Sequence, residues 1–473
     1  MRKLFFIFIL LFTVLRSGWA ETAANDRLQK LENYLDEVAE AYRIPGMACV
    51  ITNPEEALFE KTYGQCTSLD QQFYIGSMSK SYTALCIMQL VEKGLVKLED
   101  DLSLYLPDYK FEKPVTVLAL LNQTSGFDTH AKLHNVKQKK SYGKFEYANV
   151  NYDLLGKTIE AASGQTYEDY IQQNVFEPLG MEASRANAWA VKDSPKLLPG
   201  NRNYFGFFKQ GPAVFPVEKS WFHEPAGYIA TTPHNHAKYL RMYLNEGKAA
   251  CGPEDFEAQI LSPEGIQSMW YKNVSEGDKQ FDSYYGMGWN YMNWKGQPML
   301  FHGGQVEKGI TFQFILPDKK LAVCFMINAS DYLVMNNLMN GVIFDTVEIL
   351  NGGEAAKVNH SVYFLMHLLI DLIYLLLIGL SFFILYRSIK SKAGFTVKKL
   401  ICGITGYILW PLLLLTFTKL FIATPLWVVR LFVTDLYIII FAAAVIAFAA
   451  GLIRFVAGLT NFYKSFFVND FCV

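Results

Sequence analysis

The stretch Tyr74–Gly94, YIGSMSKSYTALCIMQLVEKG, decides how the rest of the chain is read. A short apolar lead-in, Phe73–Ile75, ends at Gly76, and Ser77 follows with Lys80 three residues on. From Met78 the apolar residues recur at helical spacing, with Leu85, Met88 and Val91 in one line and Ala84, Ile87 and Leu90 beside it. Gly94 is placed to stop the helix, because glycine tolerates the left-handed conformation at that position. The pattern predicts a helix with Ser77 at its N-terminus and Lys80 one turn along the same face.

That placement has chemical consequences. A serine hydroxyl is a poor nucleophile until a neighbour takes its proton. A lysine one turn away can do this when desolvation brings its pKa toward neutrality. The helix N-terminus adds positive potential and free N–H groups where an oxyanion would form. The same residues also have a plain structural reading, in which Ser77 caps a helix and Lys80 is solvated. Ser141-Tyr-Gly-Lys144 repeats the spacing with no apolar helical run behind it.

Outward from this stretch, the chain has 473 residues, a formal net charge of −1 and a hydrophobic fraction of 51%. The near-neutral balance gives no reason to expect a nucleic-acid partner. The apolar residues are unevenly placed. Arg2 and Lys3 precede an apolar run from Leu4 to Leu15, and Gly18 and Ala20 are small, which reads as a signal peptide, residues 1–20, cleaved after Ala20. Residues 21–352 form the exported domain and 353–361 a linker. Three long apolar runs follow, Val362–Tyr386, Leu400–Ile422 and Leu431–Val456, each long enough to cross a bilayer. The loop Arg387–Lys399 carries five basic residues and no acid, which places it in the cytoplasm with the 457–473 tail. The domain before Val362 then faces the periplasm or cell exterior.

Seven cysteines are scattered without a Cys-x-x-Cys pair. Cys49, Cys66, Cys86, Cys251 and Cys324 fall in the exported part, Cys402 and Cys472 in the membrane part. Buried thiols are expected. A Cys49–Cys324 bridge would require their strands to be neighbours.

In chain order, Asp26–Tyr42 reads as an amphipathic helix, Met47–Thr52 and Ala57–Tyr63 as a hairpin, and Val115–Gln123 as a further helix. Phe145–Gly156 precedes a helix, Tyr167–Val175 and His234–Gly247 are helical, and Lys132–Lys144 is a basic loop. Ile310–Leu316 and Leu321–Ile327 form a hairpin about Pro317-Asp318, and Leu333–Leu350 closes the domain. His234 and His236 resemble a metal pair, but at this spacing on a helix their side chains diverge, and no metal or cofactor is expected.

Ser77-x-x-Lys80, Tyr147-x-Asn149 and His302-x-Gly304, in that order, resemble the three motifs of serine β-lactamases and penicillin-binding proteins. They look like the class C β-lactamase branch, which also holds D-aminopeptidases, DD-peptidases and esterases. Leu120-Leu-Asn-Gln-Thr124-Ser-Gly126, Phe176-Glu-Pro-Leu-Gly180-Met181 and Pro225-Ala-Gly227 agree with it. The likeness runs from about Leu28 to Leu350. It implies an α/β fold, an antiparallel sheet flanked by helices with a helical subdomain, here followed by three transmembrane helices.

It further implies that Ser77 forms an acyl-enzyme, with Lys80 and Tyr147 sharing the proton traffic and either one as base. Asn149 bonds Lys80 or a substrate amide. The oxyanion hole comes from the backbone N–H groups of Ser77 and Gln305. Gly303 and Gly304 let the substrate approach the strand. His302 stands where many β-lactamases have lysine, which leans away from a dedicated β-lactamase. An exported hydrolase domain followed by three spans resembles the group of the colibactin-maturation peptidase, implying removal of an acyl-D-amino-acid group in the periplasm. The side chains expected to face the substrate are Tyr74, Asn149 and Val306. The expectation is a membrane-anchored serine peptidase or amidase acting on a small-molecule or peptide substrate, with a lipid-linked one in view. Its other partners are membrane lipids, and an oligomer is compatible with the sequence. A β-lactamase, a DD-carboxypeptidase, an esterase and an acylated β-lactam sensor are the rivals. In the spans, His367, Asp371 and Asp435 are costly in lipid and are expected to face the bundle interior, with Lys419 and Arg430 as candidate partners of Asp371.

Overall fold

The computed structural model describes residues 25–139, 141–211, 216–249, 258–271, 273–277, 282–390 and 397–469. The signal peptide, Cys251, Cys472 and part of the basic loop lie outside them. The chain divides into two compact units. The first is built from the described residues up to Arg202, with Gln210–Ser330 and Val342–Val358. The second is built from Asn203–Lys209, Asp331–Gly341 and the described residues from Asn359 onward.

In chain order the elements are helix α1 (residues 25–41), strands β1 (Gly46–Thr52), β2 (Ala57–Gly64) and β3 (Phe73–Tyr74), and helices α2 (Ser79–Glu92), α3 (Val117–Leu121), α4 (Asn149–Ser163) and α5 (Tyr167–Ile171). There follow β4 (Asn201–Tyr204), β5 (Phe207–Gln210), β6 (Ala230–Thr231), α6 (Pro233–Leu244) and α7 (Pro263–Tyr271). The chain then returns to strands: β7 (Val274–Ser275), β8 (Tyr284–Gly286), β9 (Trp289–Trp294), β10 (Gln297–Val306), β11 (Gly309–Leu316), β12 (Leu321–Ile327) and β13 (Ala329–Ser330). Helices α8 (Met335–Leu350), α9 (Val362–Lys390), α10 (Val397–Ile422), α11 (Leu426–Phe432) and α12 (Thr434–Asn469) complete it.

The first unit is an eight-stranded sheet in the order β2-β1-β12-β11-β10-β9-β8-β7, and every pairing in it is antiparallel. Strand β1 is buried along its whole length and β12 along all but its first residue, so both faces of the sheet centre are covered. On α1, Leu31, Leu35 and Val38 are fully buried, and Tyr34 donates to Asp345 of α8 at 2.7 Å. Helix α6 packs on β1 and β12. The helices between β3 and β7 form the second part of this unit, with α2 packed against α4.

The α/β architecture expected from sequence is therefore present, with differences in detail. Helix α3 is only Val117–Leu121, because Thr116 caps it and Gln123 takes a positive φ of 58°. The Tyr147–Gly156 motif does not precede a helix; from Asn149 onward it is the first two turns of α4. Strands β1 and β12 are neighbours, yet Cys49 stands opposite Phe325 and Cys324 opposite Val50. Adjacent register positions face opposite sides of a sheet. The two cysteines are buried, free thiols for that reason.

In the second unit, α9 and the first 28 residues of α12 are long and apolar enough to cross a membrane. The middle run, Leu400–Ile422, lies within α10; α10 and α11 meet at 81° across residues 423–425, so they form one broken span or a re-entrant loop. Helix α12 starts at Thr434, and Leu431 and Phe432 belong to α11. Leu414, Ile440, Ala443 and Ala444 form an apolar core where these helices pack. His367 is buried, and its Nε2–H donates to Asp331 Oδ2 at 2.8 Å. Asp435 accepts from the Phe205 backbone N–H at 3.4 Å, and Asn203 donates to the Tyr363 hydroxyl at 2.8 Å.

Candidate active site

Three elements of the first unit converge. A 3₁₀ turn, Gly76–Met78, leads into α2 and carries Ser77 at its centre, with Lys80 in the first turn of α2. The loop before α4 carries Tyr147, and α4 opens with Asn149. Strand β10 carries His302–Gln305.

Their closeness depends on two glycines. Gly76 has φ +54°, and a Cβ there would lie 2.2 Å from the Gln305 backbone nitrogen. A Cβ on Gly304 would lie 2.0 Å from the Ile75 carbonyl oxygen. Only a backbone without side chains at both positions lets the Ser77 turn lie directly on β10. The N–H groups of Ser77 and Gln305 are thereby brought to one edge of the site.

Lys80 is fully buried. Its Nζ donates to Ser77 Oγ at 3.0 Å, Asn149 Oδ1 at 2.7 Å and the Ala226 carbonyl at 2.6 Å. All three acceptors are neutral. The ammonium also lies 4.9 Å from the centre of the Tyr147 ring. Burial pulls Lys80 down to about 7, against the charge of Asp153, which raises it. A lysine at that value carries an appreciable neutral fraction near physiological pH and can accept the proton of Ser77.

Tyr147 is hydrogen-bonded to Ser77, but burial raises its hydroxyl well above the usual phenol value and outweighs that bond. Burial, and not the lysine beside it, sets the direction for Tyr147. His302 is buried, and its Nδ1–H donates to the Gly303 carbonyl at 2.6 Å. Its Nε2 is left to accept from Tyr285 at 3.4 Å. Burial, then the nearby Lys80, push His302 down to about 3, and the Gly303 carbonyl only partly offsets them. The ring is neutral at working pH, more so than its position in the sequence suggests.

The structure brings Ser77, Lys80, Tyr147, Asn149, His302, Gly304 and Gln305 together. Tyr74 and Val306 line a cavity of about 470 Å³, with Tyr228, Leu198 and Glu307 also in its wall, and none of the seven residues above is part of that wall. Asn149 is not part of that wall, because its amide oxygen is turned to Lys80. Tyr228 donates to both oxygens of the buried Glu307 at 2.9 and 3.0 Å.

Ser141 and Lys144 sit in a turn, with Lys144 exposed. His236 is buried with Nδ1 2.8 Å from the Tyr82 hydroxyl, whereas His234 lies out at Asp70 and Glu60. Sequence reasoning missed the Ala226 carbonyl as a Lys80 acceptor, although the Pro225-Ala-Gly227 signature marked the turn that carries it. It also missed Asp153, which a helix begun at Asn149 would have placed one turn along the Asn149 face.

Comparison with known proteins bears on the family and the fold. The Beta-lactamase family model matches residues 31–348. Protein flp of Staphylococcus aureus is 24% identical, over 72% of this chain and 68% of its own length. Among solved structures, the octameric penicillin-binding protein homologue from Pyrococcus abyssi superposes with a TM-score of 0.58 at 25% identity, covering 71% of this chain and 80% of that one. The D-amino acid amidase from Ochrobactrum anthropi SV3 does so with a TM-score of 0.56 at 20% identity, covering 68% and 99%.

Proposed function

The chain belongs to the beta-lactamase family, and from that premise we propose that it is a serine amidase or peptidase working through an acyl-enzyme on Ser77. The observation that carries this reading is Lys80: fully buried, 3.0 Å from Ser77 Oγ and held by neutral acceptors alone. In the reading, Lys80 accepts the Ser77 proton as Oγ attacks a carbonyl, and the N–H groups of Ser77 and Gln305 receive the oxyanion. Tyr147, bonded to Ser77 and raised by burial, stays protonated: as it passes a proton to the leaving group it is resupplied with the one Lys80 took from Ser77, which leaves both residues as they began. Asn149 holds Lys80, and Gly303 and Gly304 leave the β10 edge open to substrate backbone.

The substrate in this reading is an amide built on a D-residue. The likeness of fold to a D-amino acid amidase supports it, and the cavity beside Tyr74 and Val306 offers room for a side chain. A neutral His302 supports an amidase over a β-lactamase or DD-carboxypeptidase, since it offers no positive charge to a substrate carboxylate. Class C ancestry and prodrug-peptide removal are the finer form of the same proposal. The apolar helices support a membrane-anchored enzyme, residues 362–456, with the hydrolase domain, residues 21–352, exported after removal of residues 1–20. Assembly into oligomers, as in the octameric archaeal homologue, belongs to the proposal too.

The test is labelling of the full-length protein in detergent with a fluorophosphonate probe, followed by a screen of D- and L-aminoacyl amides, esters and β-lactams. Labelling lost in Ser77→Ala and turnover of D-aminoacyl amides are expected. Labelling that survives Ser77→Ala, or turnover confined to β-lactams, would overturn the reading.

A further inference from the structure

Within electrostatic reach of Lys80 lies a second pair of charges that the acyl-transfer chemistry does not use. Asp153 sits one turn along α4 from Asn149, and its side chain is 1% exposed. Its Oδ1 accepts from the His223 backbone N–H at 3.1 Å, and its Oδ2 from His223 Nδ1 at 3.0 Å. The other ring nitrogen, Nε2, lies 3.1 Å from the Val217 carbonyl oxygen.

Both ring nitrogens therefore face oxygens that can only accept. A neutral imidazole has one N–H and would set a lone pair against one of them, whereas the imidazolium satisfies both. The electrostatics agree: burial works against the charged ring, and the bond and charge of Asp153 outweigh it, so His223 is raised. His223 and Asp153 are thus a cation and an anion held in contact.

The pair also sets backbone. His223 leads directly into the 224–228 turn, whose Ala226 carbonyl takes a hydrogen bond from Lys80. On one side α2 holds that turn, through Thr83 Oγ1 to the Pro225 carbonyl at 2.7 Å and the Ile229 N–H to Ser79 Oγ at 3.2 Å. On the other side stands α4, where a Cβ on Gly156 would come within 2.4 Å of the Pro225 ring. Asp153 is the polar tie between α4 and the turn, and α4 and the turn supply two of the three Lys80 acceptors.

We propose that the Asp153–His223 ion pair positions the acceptors of Lys80 and balances its own charge there, so that Lys80 meets neither an uncompensated anion nor an uncompensated cation. This rests on the reading of Lys80 as the base. Other charged groups face the pair. Lys157 and Glu160 come from α4, Glu168 and Tyr167 from α5, and Glu218 and Glu224 from the segment of His223 itself. Tyr147, Tyr152 and His302 face Lys80 from the remaining elements. All of these are common to the variants below. Removing one member of the pair changes only which charge is left unmatched.

The signs follow. Kcat/KM rises with pH as Lys80 loses its proton, giving an acid limb. In Asp153→Asn the anion that favours charged Lys80 is gone, so the limb moves to lower pH. In His223→Gln that anion is left unmatched, so the limb moves to higher pH. Each shift should be about two pH units, the scale of a unit charge removed roughly a helical turn away at an effective dielectric constant of about 20. The double variant should return the limb close to its original place, and His223→Lys, which keeps the cation, should leave it there.

The experiment is the pH profile of kcat/KM on full-length protein, with a D-aminoacyl p-nitroanilide and thermal unfolding as a fold check. Opposite shifts in the two single variants support the proposal. Shifts of one sign, or none, overturn it while leaving Lys80 as base, provided Lys80→Ala abolishes turnover and the parent shows its limb near 7. A parent with no such limb overturns the role of Lys80 and the proposal with it. If His223→Gln does not fold, Asp153→Asn against His223→Lys decides: a limb lowered in the first and fixed in the second supports the proposal, and any other pattern overturns it.

Discussion

Lys80 in the first unit and His367 in the second are both buried cationic residue types, and they are surrounded in opposite ways. Lys80 touches a hydroxyl, a carboxamide and a backbone carbonyl, and no carboxylate. His367 rests directly on the Asp331 carboxylate at 2.8 Å. A side chain hydrogen-bonded to a buried carboxylate ties two segments together. A cation that meets only neutral acceptors is satisfied as a donor while its charge stays uncompensated, so the proton can leave. Burial among neutral acceptors is what suits Lys80 to the base role proposed for it. The Asp153–His223 pair belongs to the first kind of contact, placed within electrostatic reach of the second.

The comparison breaks most visibly where the chemistry is removed. Ser77→Ala should abolish turnover. Lys80→Ala should cost at least the about 10²–10⁴-fold typical of a positioned base, and Tyr147→Phe a similar factor. Steady-state kinetics on one amide substrate measures all three. A Tyr147→Phe protein with nearly full activity would leave Tyr147 as packing only.

A sharper version turns one environment into the other. Asn149→Asp places a carboxylate 2.7 Å from Lys80 Nζ, the contact that His367 already has. Lys80 should then hold its proton. The acid limb near pH 7 should move upward by at least one unit, and kcat/KM at pH 7 should fall by about 5-fold or more. Activity should recover at high pH, which a merely misfolded site would not do. A limb left at 7 would refute the neutral-acceptor argument.

The reverse change is expected to act on stability. His367→Ala leaves Asp331 buried without its partner, at a cost of about 3–5 kcal/mol. Thermal unfolding of the full-length protein in detergent reads it. The pH profile should keep its shape, since neither residue touches the candidate active site, and a moved acid limb would count against that separation.

What could be read from the sequence follows the same division. Motif residues whose chemistry depends on spacing along one helix or strand were readable: Ser77 with Lys80, and His302 through Gln305. So were the central strands, because strands covered on both faces are continuous apolar runs, as Met47–Thr52 and Leu321–Ile327 are. Properties set by neighbours distant in sequence were not. Nothing local says that Tyr147 is raised rather than lowered, or that His302 is neutral; both follow from burial created by β10, α4 and α2 together. Asp153 and His223 are 70 residues apart and meet only in the fold. The middle apolar run, Leu400–Ile422, was readable as part of α10, but the short helix α11 beyond the Ala423-Thr-Pro425 interruption, set at 81° to it, was not, and its Leu431 and Phe432 were read into the third run.

The smallest effect is expected at the second Ser-x-x-Lys. Ser141 and Lys144 have the same spacing as Ser77 and Lys80, so they isolate surroundings from sequence. Lys144 is exposed and its chain there is a turn, where a three-residue spacing does not stack side chains on one face as a helix does. Water, not a set of neutral protein acceptors, surrounds its ammonium. Ser141 has no helix N-terminus behind it and no β10 strand beside it to supply an oxyanion site. Ser141→Ala and Lys144→Ala should therefore each stay within about 0.5 kcal/mol in stability, as surface changes do, and leave probe labelling and the acid limb as in the parent. Labelling lost in Ser141→Ala and kept in Ser77→Ala would assign the nucleophile to the wrong serine, and the contrast drawn around Lys80 would fall with it.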